Sequence, residues 1–288
     1  MLKGNNITKV VSVICIVAAL LCGTYSVAAA AFRYISFENA SVDGSTYNLA
    51  EGANTYPFIR KGDFHAPVLT SSQKYRGSYG IAYQMDPTSG TASDGNTTDK
   101  SQHRIISGND QNPLTFGQKK YWGFAVKLDS TMEDPDSTTQ IFQWWQGAPM
   151  SPPLELRLIH SGSDTTFKYE LVYRNNTTTA NPSACEPIYQ GTITKGTWNT
   201  FVIMAILRNT NDSQDGEVKL WQNGTQLCDW LGRVGYGDGI VYAGTSYTPN
   251  TNFDVFFGPY RPRQMKNLKM YFDQVRYTDT YSEANPGN

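Results

Sequence analysis

Residues 254–277 read DVFFGPYRPRQMKNLKMYFDQVRY, and two alternating runs here, Phe253 to Tyr260 and Leu268 to Tyr277, decide the fold. Aromatic and β-branched residues at alternate positions mark β-strands. The runs flank a basic connection with two prolines that carries Arg261, Arg263 and Lys266. The pair reads as two antiparallel strands side by side, with Tyr260 next to three fixed positive charges. Because nearby cations favour a phenolate that otherwise forms near pH ~10, this is one of the few places where the chain can make a neutral-pH proton-transfer group. A plain edge hairpin with Tyr and Arg decorating its rim is the alternative.

Outward from this stretch the same alternation recurs. Phe32 to Ala40, Tyr79 to Met85 (YGIAYQM), Ser101 to Ser107 (SQHRIIS), Lys119 to Leu128 (KKYWGFAVKL), Gln140 to Gln146 (QIFQWWQ), Leu154 to His160 (LELRLIH) and Phe167 to Arg174 all read as strands. In LELRLIH the leucines at 154, 156 and 158 make one face and Glu155 with Arg157 the other. That is the pattern of a sheet packed on one side and open on the other. Gly191 to Leu207 and Glu217 to Gln222 read as paired strands, and Asn223-Gly224 closes a hairpin onto Gln226 to Trp230. Trp144 and Trp145 are neighbours on a strand, so they face opposite sides, and parity with Gln143 sends Trp145 to the open one. No long helical period interrupts the series. The fold class is all-β, a jelly-roll sandwich of two antiparallel sheets with a concave groove.

Lys3 and Lys9 precede an apolar run, Val10 to Leu21, and small residues from Val27 to Ala31 follow. This is the layout of a cleaved export signal, so residues 1–30 are assigned as a signal peptide and 31–288 as one domain, secreted or periplasmic. The run is too short to span a bilayer comfortably, and no later stretch approaches that length. Without Lys3 and Lys9 the chain carries 22 basic and 25 acidic residues, a balance that points away from nucleic acid and from a membrane surface as partners. Cys185 and Cys228 are the cysteines left once the signal is gone, and in an exported chain they are expected to form a disulfide.

The order YWGFAVKL, QIFQWWQGAPMSPPLELRL, GTWNTFVIMAI, GEVKLWQNG, FFGPYR, MYFDQVRY resembles that of the jelly-roll polysaccharide lyases over most of Phe32 to Tyr277. Glucuronan lyases and heparin lyase I-like enzymes are the nearer types, and alginate lyases the more distant. Those families carry a catalytic tyrosine in a K-x-G-x-Y strand. Here Phe256-Phe257-Gly258-Pro259-Tyr260 keeps the glycine and tyrosine and places Phe256 where the lysine stands. The Q-x-H of alginate lyases reads Gln143-Trp144-Trp145, with no histidine. The resemblance implies a catalytic set of Tyr260, Gln143 and an imidazole from elsewhere, for which His103 is the candidate, with His65 and His160 in reserve. It also implies an acidic polysaccharide, glucuronan-like before alginate or heparin, as the substrate of a monomeric enzyme. A structural Ca²⁺ held near the paired terminal strands by Glu38 and Asp273 is implied too.

β-Elimination at a uronic acid needs a base for the C5 proton, donors for the carboxylate as charge develops, and an acid for the leaving oxygen. Gln143 beside His103 would hold the carboxylate, and Tyr260 would move the protons. Trp145 offers a sugar platform, while Arg157, Arg174, Arg261 and Lys266 are candidate partners for substrate carboxylates. Each has a plain reading as well: a lone strand histidine is ordinarily a satisfied core or surface residue, and an arginine a solvated charge. A glycoside hydrolase would need paired carboxylates such as E-x-D-x-x-E on one strand, and no such run exists. A lectin-like module would keep Trp145 without needing Tyr260, His103 and Gln143 together.

Overall fold

A computed structural model of the chain describes residues 32–110, 112–176, 185–242 and 244–288. The expected signal peptide lies outside them. Two eight-stranded antiparallel sheets face each other. The first runs in the order 225–232, 216–222, 198–206, 119–128, 268–278, 80–85, 68–70, and Arg33–Ile35 also pairs with its 268–278 strand. The second runs 186–194, 166–173, 154–159, 139–145, 252–262, 98–106, 58–61, and Leu114–Thr115 also pairs with its 252–262 strand.

The sheets are held by the aromatic side of the alternation. From the first sheet Trp122 and Phe124 point inward, and from the second Phe142 and Trp144 meet them. Phe124 stacks on Phe142 at 4.9 Å between ring centres, and Trp122 meets Trp144 edge-on at 5.0 Å. All four are fully buried. Each contributes roughly 2–3 kcal/mol through apolar burial, which makes this wedge the strongest single reason for the two sheets to pack.

The closing stretch is not the strand pair that its sequence suggests. Asn252–Pro262 lies in the second sheet, between Thr139–Trp145 and Thr98–Ile106. Leu268–Thr278 lies in the first, between Lys119–Leu128 and Gly80–Met85. The connection therefore crosses from one sheet to the other. Both runs are buried along nearly their whole length, and two central strands bury more than an isolated edge hairpin could. The Gly191 to Leu207 run is likewise split. Glu186–Thr194 belongs to one sheet and Trp198–Ile206 to the other, with Gly196 at φ +79° in the turn between them. The Asn223-Gly224 turn closes its hairpin as read, with φ of 51° and 80°.

His103 is part of the core. Its strand, Thr98–Ile106, sends the even positions to the open face and His103 inward, where it stacks on Phe257 and is fully buried. Nε2 lies 3.0 Å from the Tyr47 carbonyl and so must donate; Nδ1, 2.6 Å from the Tyr83 hydroxyl, then accepts. This corrects its placement as a groove imidazole: it is the satisfied core histidine of the plain reading. Burial pulls it down to about 4 from an ordinary 6.5, against which the bond to Tyr47 works.

The terminal strands do pair, Ile35 opposite Val275. Glu38 and Asp273, however, face N–H donors rather than a shared ion. Asp273, fully buried, accepts from the backbone of Tyr75 at 2.8 Å and Arg76 at 2.9 Å, and Glu38 from that of Ser78 and Tyr79. Two carboxylates thus strap one loop. Both acids spend carboxylate oxygens on backbone N–H groups of residues 75–79.

Cys185 and Cys228 are both free thiols here. Cys185 sits at the start of the second sheet's 186–194 strand, 2.9 Å from Arg157 Nη2, while Cys228 lies opposite Leu220 in the first sheet. The expected disulfide is not formed in this structure.

A neutral imidazole in the fold and an ordinary one in the unfolded chain make stability pH-dependent. The contribution is fully present above about pH 6.5 and is lost as pH falls towards 4, on the order of 3 kcal/mol in all. Urea unfolding between pH 7.5 and 4.5 should show this slope, and His103→Gln should flatten it; an unchanged slope would remove His103 as its source. For the loop strap, Asp273→Ala leaves buried N–H groups unpaired and is expected to cost about 2–4 kcal/mol. A metal chelator is expected to leave the melting temperature of the wild-type chain where it is, and a drop of several degrees would contradict the strap.

Candidate active site

The open face of the second sheet carries two adjoining hollows, of about 430 and 410 Å³. The central Thr139–Trp145 and Asn252–Pro262 strands supply the floor that they share, with Gln140 opposite Tyr260 in register. Gln140, Ser151 and Tyr260 line both hollows, so Tyr260 stands at the boundary. The glycine two residues before it is needed for a close approach. Gly258 has φ +106°, and a Cβ there would fall 2.5 Å from the Ser101 carbonyl oxygen and 3.1 Å from Gln102 Cα. Only a bare backbone lets the 252–262 strand lie that close to Thr98–Ile106, and the same contact sets Tyr260 opposite Lys100.

In the first hollow, Lys61, Lys100, Gln143, Trp145, Phe256 and Tyr260 come together. Lys100 Nζ lies 4.7 Å from the centre of the Phe256 ring and 5.0 Å from that of Tyr260. Burial, with the like charge of Lys61, lowers this ammonium to about 8, against a smaller opposing pull from Asp254. Gln143 is held by an amide relay: its Nε2 donates to Gln102 Oε1 at 2.6 Å, and Gln102 Nε2 donates to the Gly258 carbonyl at 2.8 Å. Trp145 faces this hollow with its indole N–H bonded to the Met150 carbonyl, while Trp144 is in the core. A lysine titrating near 8 exchanges a proton at ordinary pH, and a phenol and an amide stand on the same face.

In the second hollow the cations are occupied. Arg157 donates to Glu170 at 2.7 Å, to Glu155 at 2.9 Å and to Cys185. Arg174, nearly inaccessible, donates to Glu155 at 3.0 Å and to the Pro152 carbonyl. Neither is the solvated charge or the open carboxylate receptor expected of it. Arg261, which also lines this hollow, is nearly inaccessible and donates to the carbonyls of Lys266 and Asp86. Lys266 lies in the crossing connection, 3.6 Å from Asp136. The cation beside Tyr260 is therefore Lys100, from a neighbouring strand, and not the basic connection that follows the tyrosine.

Tyr260, Gln143 and Trp145 share the open face, and His103 does not. Lys61, Lys100, Gln102, Arg104 and Gln140 were not singled out from sequence. The signal for three of them was present in TDKSQHRII: once Ile105 is assigned to the core, alternation sends Lys100, Gln102 and Arg104 to the opposite side.

The model of the polysaccharide lyase family matches residues 65–276, well over half of the chain. None of the curated proteins matches. Among solved structures, the alginate lyase Aly36B aligns at 12% identity and a TM-score of 0.48, covering 72% of this chain and 83% of its own. The alginate lyase from Klebsiella pneumoniae aligns at 12% identity and 0.46, covering 74% and 85%. A Shewanella oneidensis protein of unknown function aligns at 12% identity and 0.49, covering 97% of each chain. The family match over the two sheets that build the groove settles what kind of protein this is: the chain belongs to the polysaccharide lyase family and is a lyase.

Proposed function

We propose that the exported chain cleaves a uronate-containing acidic polysaccharide by β-elimination, with Tyr260 and Lys100 as its proton-transfer pair. The observation that carries this reading is the placement of a phenol, a lysine lowered to about 8 and a tethered amide in one hollow on one face of one sheet. The uronate carboxylate lies among Lys61, Arg104 and the Gln143 amide, donors that grow in value as the enolate-like charge develops. Lys100, in its neutral form, takes the C5 proton. The C–H electron pair becomes the C4–C5 double bond, the C4–O bond breaks, and the departing oxygen takes a proton from the Tyr260 hydroxyl. The lysine proton then returns to the phenolate. Trp145 supplies an apolar platform for a sugar ring. Among polyuronates, glucuronan is preferred to alginate and heparin on the strength of the sequence resemblance.

Because the base form of Lys100 grows as pH rises through about 8, kcat/KM, followed as unsaturated product near 235 nm, is expected to climb below pH 8 and level off above it. Tyr260→Phe and Lys100→Met should each lower kcat by about 10²–10⁴-fold with folding intact. Lys100→Arg keeps the charge but cannot release its proton, so it should fail as well. Retained activity in Lys100→Arg would make Lys100 a carboxylate partner only, and retained activity in Tyr260→Phe would remove the phenol from the mechanism.

A further inference from the structure

A third, smaller hollow of about 200 Å³ continues the groove past Trp145. The three hollows follow one another along the 252–262 strand. Tyr260 stands between the first two, while Trp145 and Asp254, cross-strand neighbours, line both the Lys100 hollow and this one. Asn109, Asn250, Thr251 and Asn252 continue the lining, and Asp254 is the one charged group among its described residues. Asn109, Asn250 and Thr251 are exposed, so a ligand can reach them.

One peptide fixes two of these side chains. The Gly108 N–H donates to Asp254 Oδ1 at 2.8 Å, and Asn252 Nδ2 donates to the Gly108 carbonyl at 2.9 Å. A carbonyl only accepts, so Asn252 must turn its nitrogen towards it and keeps Oδ1 as an acceptor. Asp254 Oδ2 lies 3.8 Å from Arg104, beyond hydrogen-bond reach, and keeps its lone pairs as well. The indole N–H of Trp145 is held by the Met150 carbonyl at 2.9 Å, which fixes the ring at the entrance.

Fixed acceptors, amides and an aromatic face suit the hydroxyl edge of a sugar, whereas a carboxylate without a close cation repels a second anion. In a β-linked chain joined through C4, successive rings face opposite ways. The edge that offers a carboxylate on one ring therefore offers the C2 and C3 hydroxyls on the next. From Phe256, over which Lys100 stands, to Asp254 is a step of two strand residues, ~7 Å, comparable with one sugar ring. We infer that the third hollow seats the sugar next to the uronate bound at Lys100 and takes it by its C2 and C3 hydroxyls, and that Asp254 is the specificity-determining residue that turns away a polymer sulfated there. This seating rests on the reading of Tyr260 and Lys100 given above for the place of the uronate. It supplies a physical reason for preferring glucuronan to heparin.

The test is a binding measurement, independent of turnover. Tyr260→Phe protein is titrated calorimetrically, at one ionic strength, with glucuronan and with glucuronan sulfated at its ring hydroxyls. The unsulfated polymer is expected to bind at least tenfold tighter, although the sulfated one brings more charge to the cations beside Lys100. Adding Asp254→Asn, which can still accept from Gly108, should shrink that ratio at least threefold with the melting curve unchanged. Adding Asn109→Asp, at an exposed position of the same lining, should widen it. Equal or tighter binding of the sulfated polymer would overturn the inference, and so would a ratio indifferent to both substitutions in folded protein. If the ratio behaves as expected while neither polymer yields product near 235 nm with the wild-type chain, the catalytic reading fails and the seat at Asp254 stands. Product without the ratio keeps the catalytic reading and removes the seat.

Discussion

The structure depends on the meeting of Trp122 and Phe124 with Phe142 and Trp144 between the sheets. Strand side chains alternate, so burying Phe142 and Trp144 leaves Gln143 and Trp145 no choice of face. The same holds one strand over, where Phe257 stacks under His103 and Phe256 is turned to the groove. The groove side of the molecule is thus the complement of its core. A one-residue slip in either central strand would carry the aromatic wedge into water and the polar set into the interior, and the cost of the first alone, several buried aromatics, excludes it.

This explains which parts were legible in the sequence. Strand identity is local: KKYWGFAVKL shows its three inward residues without reference to any partner, and its bounds are met by the strand found at Lys119–Leu128. Sheet membership is not local. Nothing within Phe253 to Tyr277 says that its two runs lie in different sheets, because that follows from which strands flank each, and the flanking strands come from residues 80–145. Strand-face parity was legible for Trp145 and would have been for His103, had Ile105 been taken as the inward marker. The absence of a histidine from Gln143-Trp144-Trp145 makes His103 the candidate on sequence, and a buried ring with both nitrogens satisfied cannot serve as one. The pairing of Arg157 with Glu155 and Glu170 was hidden for another reason, since a cross-strand partner depends on register.

The lysine tells more. The lyase pattern that this chain resembles places lysine four residues before the tyrosine on the same strand, and that position is Phe256 here. Yet an ammonium stands over the Phe256 ring all the same, delivered from the neighbouring strand by Lys100. A positive charge thus stands beside Tyr260, anchored on the neighbouring strand. This placement has a chemical consequence: between an aromatic floor and the like charge of Lys61, the ammonium loses solvation without gaining a close carboxylate, and its proton is held less firmly.

Gly258 makes that placement possible. A side chain at this position would collide with the Ser101 carbonyl and force the two strands apart. Separation would lengthen the distance from Lys100 to Tyr260 and also break the Gln102 bond to the Gly258 carbonyl, on which the orientation of Gln143 depends. The amide and the lysine are therefore positioned by one backbone approach, and the tyrosine follows it by two residues on the same strand. A glycine at that position is a requirement of the strand contact, whatever residue stands at position 256.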